Sequence, residues 1–313
     1  MHPQHTYELR VNFVGETPAA VKCKERMIDW LLLNGVESFV EGELAVDINQ
    51  NQDEPPRDYY TELGGDQTPL SVYRYSRESL DDLRIKLEHA FGAQIETALN
   101  TMETELWMEG WKESFQPFAT EVFYVRPPWI TTPAPRPGLI DLVIEPGMAF
   151  GTGQHATTRL CLEQVGADFQ ELGTKVAQRS VLDVGCGTGI LLIGAKKLGY
   201  GRCLGTDIED DAILASKTNA QVNGVATDFM LGSLPDGETF DLVLANILAV
   251  VIIRLMPQLA AAIAPGGKIV FSGLLTEEAD EVIAAGCRVG LAPVRQTDLA
   301  GWGCIVMSQP QRR

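Results

Sequence analysis

The sequence is poor in the residues that bind metals and in the pairs that form disulfides. Its 313 residues include four histidines and six cysteines, and the cysteines show no paired spacing. The pattern therefore predicts neither a metal site nor a disulfide framework, and we expect reduced thiols in a cytoplasmic protein. The cysteines are Cys23, Cys161, Cys186, Cys203, Cys287 and Cys304.

Long hydrophobic runs are also missing. The longest largely apolar stretch, Leu242 to Ile253, is interrupted by Asn246 and is too short to span a bilayer. The opening MHPQHTYELR has no basic start followed by an apolar core, so it predicts no export signal. We expect no membrane partner.

Basic residues are scarce as well. Lys and Arg number 25 against 42 Asp and Glu, and the net charge is −17. This balance argues against a nucleic-acid partner, because neutralising phosphates dominates such binding. The stretch up to Arg136 holds 23 acids and 12 bases, a balance of −11. That acidic surface either serves only solubility or steers a basic protein substrate.

The first 102 residues predict a small α+β domain. Strand-like segments (TYELRVNFV, VESFVEGELAVDI, LSVYRY and QIETAL) alternate with helices that begin near Thr17 and Ser76. The order βαββαβ is that of the ferredoxin-like fold. The polar segment 49–68 predicts a long exposed loop, and no catalytic motif lies in this domain.

Residues 103–137 predict a joint between two domains. METELWMEGWKES favours a short helix with Trp107 and Trp111 on one face. The following VRPPWITTPAPRPG contains five prolines and cannot hold a helix or an inner strand. The domain boundary is therefore expected here.

Residues 138–313 predict a doubly wound α/β domain. Seven strands are expected, with helices between them until about Gly286. The last two strands, around CRVGLAPV and GCIVM, leave no room for a helix. They should form an antiparallel hairpin at the sheet edge.

A glycine-rich turn opens the first βαβ unit of this domain. Gly185, Gly187 and Gly189 follow the strand SVLDV, and Asp207 ends the next strand. Glycines let the backbone approach a nucleotide-like ligand closely. The dinucleotide-binding fingerprint GxGxxG would need its third glycine at position 190, where this chain has Ile190. The pattern therefore excludes the usual dinucleotide site.

GxGxG with an acid at the end of the next strand is typical of Rossmann-like methyltransferases that use S-adenosylmethionine. In this interpretation Gly185 and Gly187 clear room for the methionyl part, and Asp207 accepts hydrogen bonds from the ribose hydroxyls. The alternative is a tight turn that binds no ligand.

Asn246 ends the predicted strand FDLVLAN. The carboxyl ends of parallel strands face the ligand crevice of an open α/β sheet. An amide there can accept an N–H from an amine substrate and donate to a cofactor, which makes Asn246 the candidate catalytic residue. It could also be the N-cap of the following helix.

The segment EPGMAFGTGQHATT precedes this domain's first central strand. Phe150 could cover the methionyl or adenine part of a cofactor, and Thr157 and Thr158 could bind it. The two threonines could instead cap the helix that follows. His155 is a weaker candidate for a general base.

Four segments carry a family resemblance: EPGMAFGTGQHATTRLCLE, VLDVGCGTGILLIGAKKLG, GTDIEDDAILASKTNAQVNG and LANILA. In this order the chain resembles the bacterial ribosomal protein L11 methyltransferases over roughly residues 103 to 273. The resemblance implies transfer of methyl groups from S-adenosylmethionine to lysine and N-terminal amines of ribosomal protein L11. It also implies cofactor contacts at Thr158, Gly185, Asp207 and Asn246, and substrate recognition by the N-terminal domain.

Other functions stay open beside this one. The N-terminal half matches the family in pattern more than in letters, and Gly301 stands before Trp302 where the family tends to place an acid. The enzyme could methylate another protein lysine or a small amine. It could also be a non-catalytic assembly factor that binds the cofactor and a ribosomal protein. We expect a monomer that acts on its protein substrate free of the ribosome.

Overall fold

The computed structural model describes residues 5–15, 17–34, 36, 39–41, 69–103, 115–146, 151 and 153–310. By its internal contacts the chain divides into two compact units, Met1–Phe115 and Gln116–Arg313. Three predicted features lie outside the described residues: the polar segment 49–68, the helix with Trp107 and Trp111, and the aromatic ring of Phe150.

The first unit has the predicted ferredoxin-like arrangement. Its elements are β1 (His5–Phe13), α1 (Thr17–Leu33), β2 (Phe39–Glu41), β3 (Leu70–Arg74), α2 (Arg77–Phe91) and β4 (Ile95–Glu103). The strands lie in the order β2-β3-β1-β4, and every neighbouring pair is antiparallel. Each half of the unit is a β–α–β segment whose two strands are not neighbours. Strand β3 lies between β1 and β2, and strand β1 lies between β3 and β4.

Helical periodicity explains how the unit's core forms. On α1 the apolar residues Ala20, Cys23, Met27 and Leu31 are at most 2% exposed, since a spacing of three or four residues keeps them on one face. Ser76 caps α2 by accepting the backbone N–H of Ser79 at 3.2 Å. Both helices share one hydrophobic cluster with β1 and β3.

The second unit contains a seven-stranded sheet and a three-stranded one. Its strands are β5 (Phe118–Ala119), β6 (Phe123–Arg126), β7 (Ile140–Val143), β8 (Val181–Val184), β9 (Cys203–Asp207), β10 (Asp228–Leu231), β11 (Phe240–Asn246), β12 (Ile263–Leu275), β13 (Ala292–Leu299) and β14 (Trp302–Ser308). Its helices are α3 (Ala156–Leu172), α4 (Ile190–Lys197), α5 (Asp210–Val222), α6 (Ala249–Ala261) and α7 (Ala279–Arg288).

The large sheet has the order β10-β9-β8-β11-β12-β14-β13. Strands β8 to β12 pair in parallel, whereas β14 is antiparallel to both β12 and β13. This confirms the predicted doubly wound fold and its terminal antiparallel hairpin. Two hydrophobic clusters cover the two faces, so successive residues of β8 and β11 alternate between them.

One predicted helix does not form. Only residues 232–239 connect β10 to β11, and they contain no helix. The connection is too short for a crossover helix of the usual length. A loop of eight residues replaces it.

The second unit begins earlier than the sequence indicated. The predicted joint ended at residue 137, but the chain from Gln116 onward belongs to the second unit. Phe123 is fully buried there, and a Cβ on Gly194 would lie 3.3 Å from its ring. Strand β6 is only four residues long and is followed by two prolines, so composition alone gives no sign of it.

Membrane-spanning helices and metal-binding clusters are both absent from the described residues. No helix there is both long and apolar enough to cross a membrane. In the same residues, His, Cys, Asp and Glu side chains form no group of three or more that could hold a metal ion.

Candidate cofactor and catalytic site

The glycine turn lies at the carboxyl edge of the central strands. The backbone N–H groups of Gly185 and Cys186 both donate to Thr206 O, at 2.8 and 3.0 Å, which ties the turn to the end of β9. Gly185 has φ +71°, a left-handed conformation that favours glycine. A Cβ there would lie 2.4 Å from Ile247 Cγ2, so the backbone passes closer to β11's end than any side chain would permit.

Asp207 joins the glycine turn to the next strand. Its Oδ2 accepts the N–H of Gly187 at 2.9 Å, and its Oδ1 accepts the N–H of Glu209 at 3.0 Å. An ionised carboxylate offers about four acceptor positions, a number that suits a group binding both backbone N–H groups and a diol. Ile208 and Leu231 beside it are 53% and 52% exposed, and they offer an apolar surface on which a base could pack.

Gly151, in the middle of the AFGTGQH motif, contacts the same turn. The hydroxyl of Thr188, within the glycine motif, donates to Gly151 O at 2.5 Å. Asn219 on α5 adds a second tie, because its amide donates to Thr188 O at 3.1 Å and accepts Glu145 N–H at 2.9 Å. Two motifs that are far apart in the sequence therefore form one surface. Thr188 and Asn219 were missed from the sequence, although both lie inside the quoted motifs.

His155, rather than a threonine, caps helix α3. Its Nδ1 accepts the backbone N–H of Thr157 at 3.4 Å and lies 2.8 Å from Thr157 Oγ1. The alternative in which Thr157 and Thr158 cap this helix is therefore wrong. Burial lowers the pKa of His155, which keeps its ring neutral at pH 7.

The two threonines differ in what they can still bind. Both are 0% exposed, and the hydroxyl of Thr157 is already engaged by His155. Thr158 Oγ1 is buried and finds no hydrogen-bond partner among the described residues. A buried hydroxyl without a partner is costly, which favours Thr158 as the threonine that contacts a ligand.

Asn246 is the last residue of β11 and is 8% exposed. The following helix α6 has Leu248 as its N-cap and no side-chain capping bond. The N-cap interpretation of Asn246 is therefore wrong. Its Oδ1 is buried and accepts no hydrogen bond from any residue that the structure describes, so it is available to a bound group.

Asp183 is a further acid at the site, and the sequence pattern did not single it out. It lies in β8 directly before the glycine turn and is 1% exposed. Burial and the neighbouring charge of Asp207 raise its pKa to about 8. It is therefore largely protonated at pH 7. An acid inside the apolar strand motif VLDV is unusual, and this could have marked Asp183 as a candidate site residue. The sequence gives no indication, however, of whether its carboxyl group is protonated.

These groups fit S-adenosylmethionine. Thr158 Oγ1 and Asn246 Oδ1 are buried without partners among the described residues, and the Asp207 carboxylate ends β9 beside the glycine turn. Asp207 and Asn246 are the last residues of two parallel strands, at the carboxyl edge where open α/β sheets bind ligands. Fold and site together define an S-adenosylmethionine-dependent methyltransferase of the seven-stranded class.

Comparison with known proteins identifies the family. The ribosomal protein L11 methyltransferase (PrmA) family matches residues 19–310. The chain belongs to this family, as the resemblance predicted. The methyltransferase activity and its cofactor are thereby confirmed.

Individual relatives agree with this assignment. The chain is 37% identical over 261 residues to the ribosomal protein L11 methyltransferase of Geobacter metallireducens, covering 79% of this chain and 84% of that one. It is 46% identical over 203 residues to that of Azotobacter vinelandii, covering 63% of this chain and 65% of the relative. The crystal structure of the ribosomal protein L11 methylase from Lactobacillus delbrueckii subsp. bulgaricus superposes with a TM-score of 0.55 at 29% identity, covering 61% of this chain and 97% of that chain.

Proposed function

We propose that the protein methylates lysine side-chain amines and the N-terminal amine of ribosomal protein L11. The names of its relatives support the target protein. The observation that carries the choice of an amine is Asn246, whose buried Oδ1 has no partner among the described residues. We further propose that the enzyme acts in the cytoplasm as a monomer, on substrate that is not yet part of the ribosome.

Asn246 selects the reactive form of the amine. When bound, S-adenosylmethionine supplies an electrophilic methyl group on a sulfonium. A lysine amine has a pKa of about 10.4 and must lose its proton before it can react. The carbonyl of Asn246 accepts an N–H of the neutral amine and carries no charge, so it does not stabilise the ammonium as a carboxylate would. Its main contribution is orientation.

The site needs no strong general base. The protonated product amine releases its proton to water, and a second methylation requires only that the amine be neutral again. The neutral His155 near the site has its Nδ1 engaged with Thr157. This arrangement supports a structural role for the ring.

The N-terminal domain, residues 1–102, is proposed to bind the protein substrate, with residues 103–137 as the joint. Ribosomal proteins are basic, and the stretch up to Arg136 has a balance of −11. On the described part of this domain, helix α2 carries three arginine–carboxylate pairs. Its Arg77 and Arg84 neutralise some of the acids of the same helix. Glu78 and Asp82 on the same helix are exposed, and the domain's excess of negative charge is proposed to attract the basic partner.

Replacing Asn246 tests the proposal. In Asn246→Ala, kcat for ribosomal protein L11 should fall on the order of 10²-fold, the cost of a misplaced reactant, while the cofactor's Kd should rise by a smaller factor. In Asn246→Asp, the pH profile of kcat/KM should shift to higher pH, because a carboxylate stabilises the ammonium. Mass spectrometry of the methylated protein and calorimetry with the cofactor give these quantities.

A matched control is Gln309→Ala. Its buried Oε1 also lacks a partner among the described residues, but it follows β14 at the opposite edge of the sheet. This variant should keep the wild-type rate. If Asn246→Ala instead keeps full turnover and only melts earlier, the residue has no part in the reaction. A wild-type enzyme that leaves L11 unmodified would contradict the choice of substrate.

A further inference from the structure

A cleft lies beside helix α3, towards the amino-terminal ends of the parallel strands of the large sheet. It encloses about 450 Å³ of empty space, part of which is open to solvent. Its lining includes Leu242, near the beginning of β11, and Lys268 of β12, which are paired with each other. Asn246 and its partner Ser272 lie four residues further along these strands, roughly 13 Å away at the rise of a β-strand. The cleft is therefore separate from the candidate catalytic site.

Apolar side chains form the floor of this cleft. Leu242, Val270 and Val306 are buried and belong to the hydrophobic cluster on the α3 face of the sheet. Val306 is paired with Val270 on one side and with Arg295 of the edge strand β13 on the other. Because directly paired residues project to the same face, Arg295 lies on the face of the floor. A bulge leaves the preceding residue, Val294, without a partner in β14, and this irregularity lets both residues line the cleft.

One face of helix α3 forms a wall of the cleft. Four of its residues line the cleft at intervals of three or four positions, which places them on one side of the helix: Gln164, Ala167, Asp168 and Glu171. Lys268 Nζ donates to Asp168 Oδ1 at 3.0 Å and to Glu171 Oε2 at 2.7 Å. The second oxygen of Asp168 accepts the Tyr200 hydroxyl at 2.7 Å. Both carboxylates are therefore engaged by groups of the protein itself.

Three other polar groups of the cleft can still bind a ligand. Gln164 is 9% exposed, and its amide has no hydrogen-bond partner among the described residues, although an unpartnered buried amide is costly. Arg295 is exposed, and its guanidinium pairs with no carboxylate that the structure describes. Lys268 uses two of its three N–H groups on the α3 carboxylates. Burial lowers the pKa of Lys268, but these hydrogen bonds outweigh it and raise the pKa above its usual value, so Lys268 is positively charged.

These groups determine the chemistry of the ligand. Arg295 and Lys268 offer only donors, whereas Gln164 offers two N–H donors and one acceptor oxygen. A negatively charged group that is rich in acceptors therefore satisfies most of them. A carboxylate fits the planar guanidinium with two parallel hydrogen bonds. A cationic ligand would instead place like charges beside Arg295 and Lys268 and leave their N–H groups unsatisfied.

We propose that this cleft is a binding site for a small aliphatic carboxylate. The carboxylate pairs with Arg295 and Lys268 and accepts an N–H of the Gln164 amide. The aliphatic chain lies on the apolar floor of the cleft. The ligand is small, because the empty space is in the lower part of the range of about 300–1,000 Å³ that is usual for ligand pockets. Its binding leaves the cofactor site unoccupied, since the cleft lies away from the carboxyl ends of the parallel strands.

Hexanoate is the probe for this site, with hexanol and hexylamine as ligands that keep the chain and change the head group. Ligand-observed NMR and calorimetry on the full-length protein should show that hexanoate binds more tightly than either. Arg295→Gln should raise the Kd of hexanoate about tenfold or more, because it removes the charged hydrogen bonds. Gln164→Glu keeps the size of the side chain but adds a like charge, and it should abolish binding. Arg288→Gln is the matched control and should leave the Kd unchanged, because Arg288 is exposed on α7, which packs against the other face of the sheet.

Several outcomes would overturn the site. These are the absence of hexanoate binding to the wild type at millimolar concentration, equal hexanoate affinity in Arg295→Gln and Arg288→Gln, and tighter binding of hexylamine than of hexanoate. A cofactor Kd that rises in parallel with the hexanoate Kd in Arg295→Gln would also do so, because it would indicate a change in the fold.

A peptide arm separates a free acid from the end of a protein chain. Short peptides that end in leucine, with a free or an amidated carboxyl terminus, are compared with hexanoate. We expect hexanoate to bind more tightly than both. Tighter binding of the peptide with the free terminus would replace the small acid by a protein terminus. None of these measurements uses ribosomal protein L11, so their result does not depend on the proposed function.

Discussion

At the scale of a single residue, Asp207 has a structural role and a proposed role in binding the cofactor. Its two oxygens accept the N–H groups of Gly187 and Glu209, and the same oxygens are proposed to accept the cofactor's ribose hydroxyls. Asp207→Ala should weaken cofactor binding by about 1.5–3 kcal/mol, the range for hydrogen bonds to a charged group. Calorimetry measures this as an increase in Kd of roughly 10- to 150-fold.

An acid on the neighbouring edge strand controls for charge. Asp228 is exposed on β10, and Asp228→Ala should leave the cofactor's Kd unchanged. Asp207→Asn separates the two roles further, because it keeps one acceptor oxygen but loses the charge. Wild-type affinity in Asp207→Ala would remove the ribose assignment.

Asp183 links protonation to stability. Its pKa in the folded protein is raised to about 8, against about 3.9 in an unfolded chain. Between these values the folded state binds a proton that the unfolded state has released, so stability falls as pH rises from about 4 to 8. Above about pH 8 this contribution becomes constant.

We expect the Tm of the wild type to fall as the pH rises, and we expect this dependence on pH to be weaker in Asp183→Asn. The wild type should lose about 7–15 °C between pH 5 and pH 8 from this group, because the two pKa values imply a loss of roughly 3–4 kcal/mol over that range, and 1 kcal/mol corresponds to about 2–4 °C in a domain of this size. Thermal melting across that range is the measurement, and the slope is the quantity compared. Parallel slopes in wild type and variant would show that Asp183 does not titrate as described.

At the scale of the element, the strand–turn–helix unit depends on the close approach of Gly185 to Ile247. Gly185→Ala should both strain the backbone, at about 1–2 kcal/mol for a left-handed residue, and clash with Ile247 Cγ2. We expect a lower Tm and at least tenfold weaker cofactor binding, since the turn must shift. Calorimetry and thermal melting give both values.

Gly224→Ala is a control that measures the conformational strain of a left-handed residue without a steric clash. Gly224 has φ +66°, and a Cβ added there would meet no atom within 4 Å, so this variant should lose only the conformational contribution. The double variant Gly185→Ala with Ile247→Ala should lose less stability than the sum of the single variants, because the clash is removed. Strict additivity would contradict close packing as the cause.

At the scale of the whole molecule, we predict that the second unit binds the cofactor and that the first unit binds the protein substrate. A chain that begins at Gln116 retains the seven-stranded sheet and its cores. It should bind the cofactor with the full-length affinity. Its methylation of intact ribosomal protein L11 should collapse, whereas a short lysine peptide should be affected little.

Salt gives an independent measurement of the same division. Exposed charges are screened beyond about 8 Å at physiological ionic strength. Added salt should therefore slow association of the full-length enzyme with its basic substrate more than that of the chain from Gln116. If the shortened enzyme methylates the intact protein at the full-length rate, docking by the first unit is wrong.

Local physical chemistry made much of the fold predictable from the sequence. Periodic apolar residues such as Ala20, Met27 and Leu31 predict α1, because helical spacing places them on one face. The glycine turn and Asp207 predict the ligand edge, because glycines permit the backbone to come close. Antiparallel pairing of the last two strands followed from the short connection between them. Each of these inferences needs only neighbours in the sequence.

Contacts between distant segments were decided by the tertiary structure alone. The sequence could not distinguish Asn246 as a cap from Asn246 as a ligand, since only the start of α6 at Leu248 settles the capping bond. The pairing of His155 with Trp302 and the protonation of Asp183 also depend on packing between separate elements. Burial and charge at a site are properties of the assembled fold, because they depend on groups that the chain brings together from far apart.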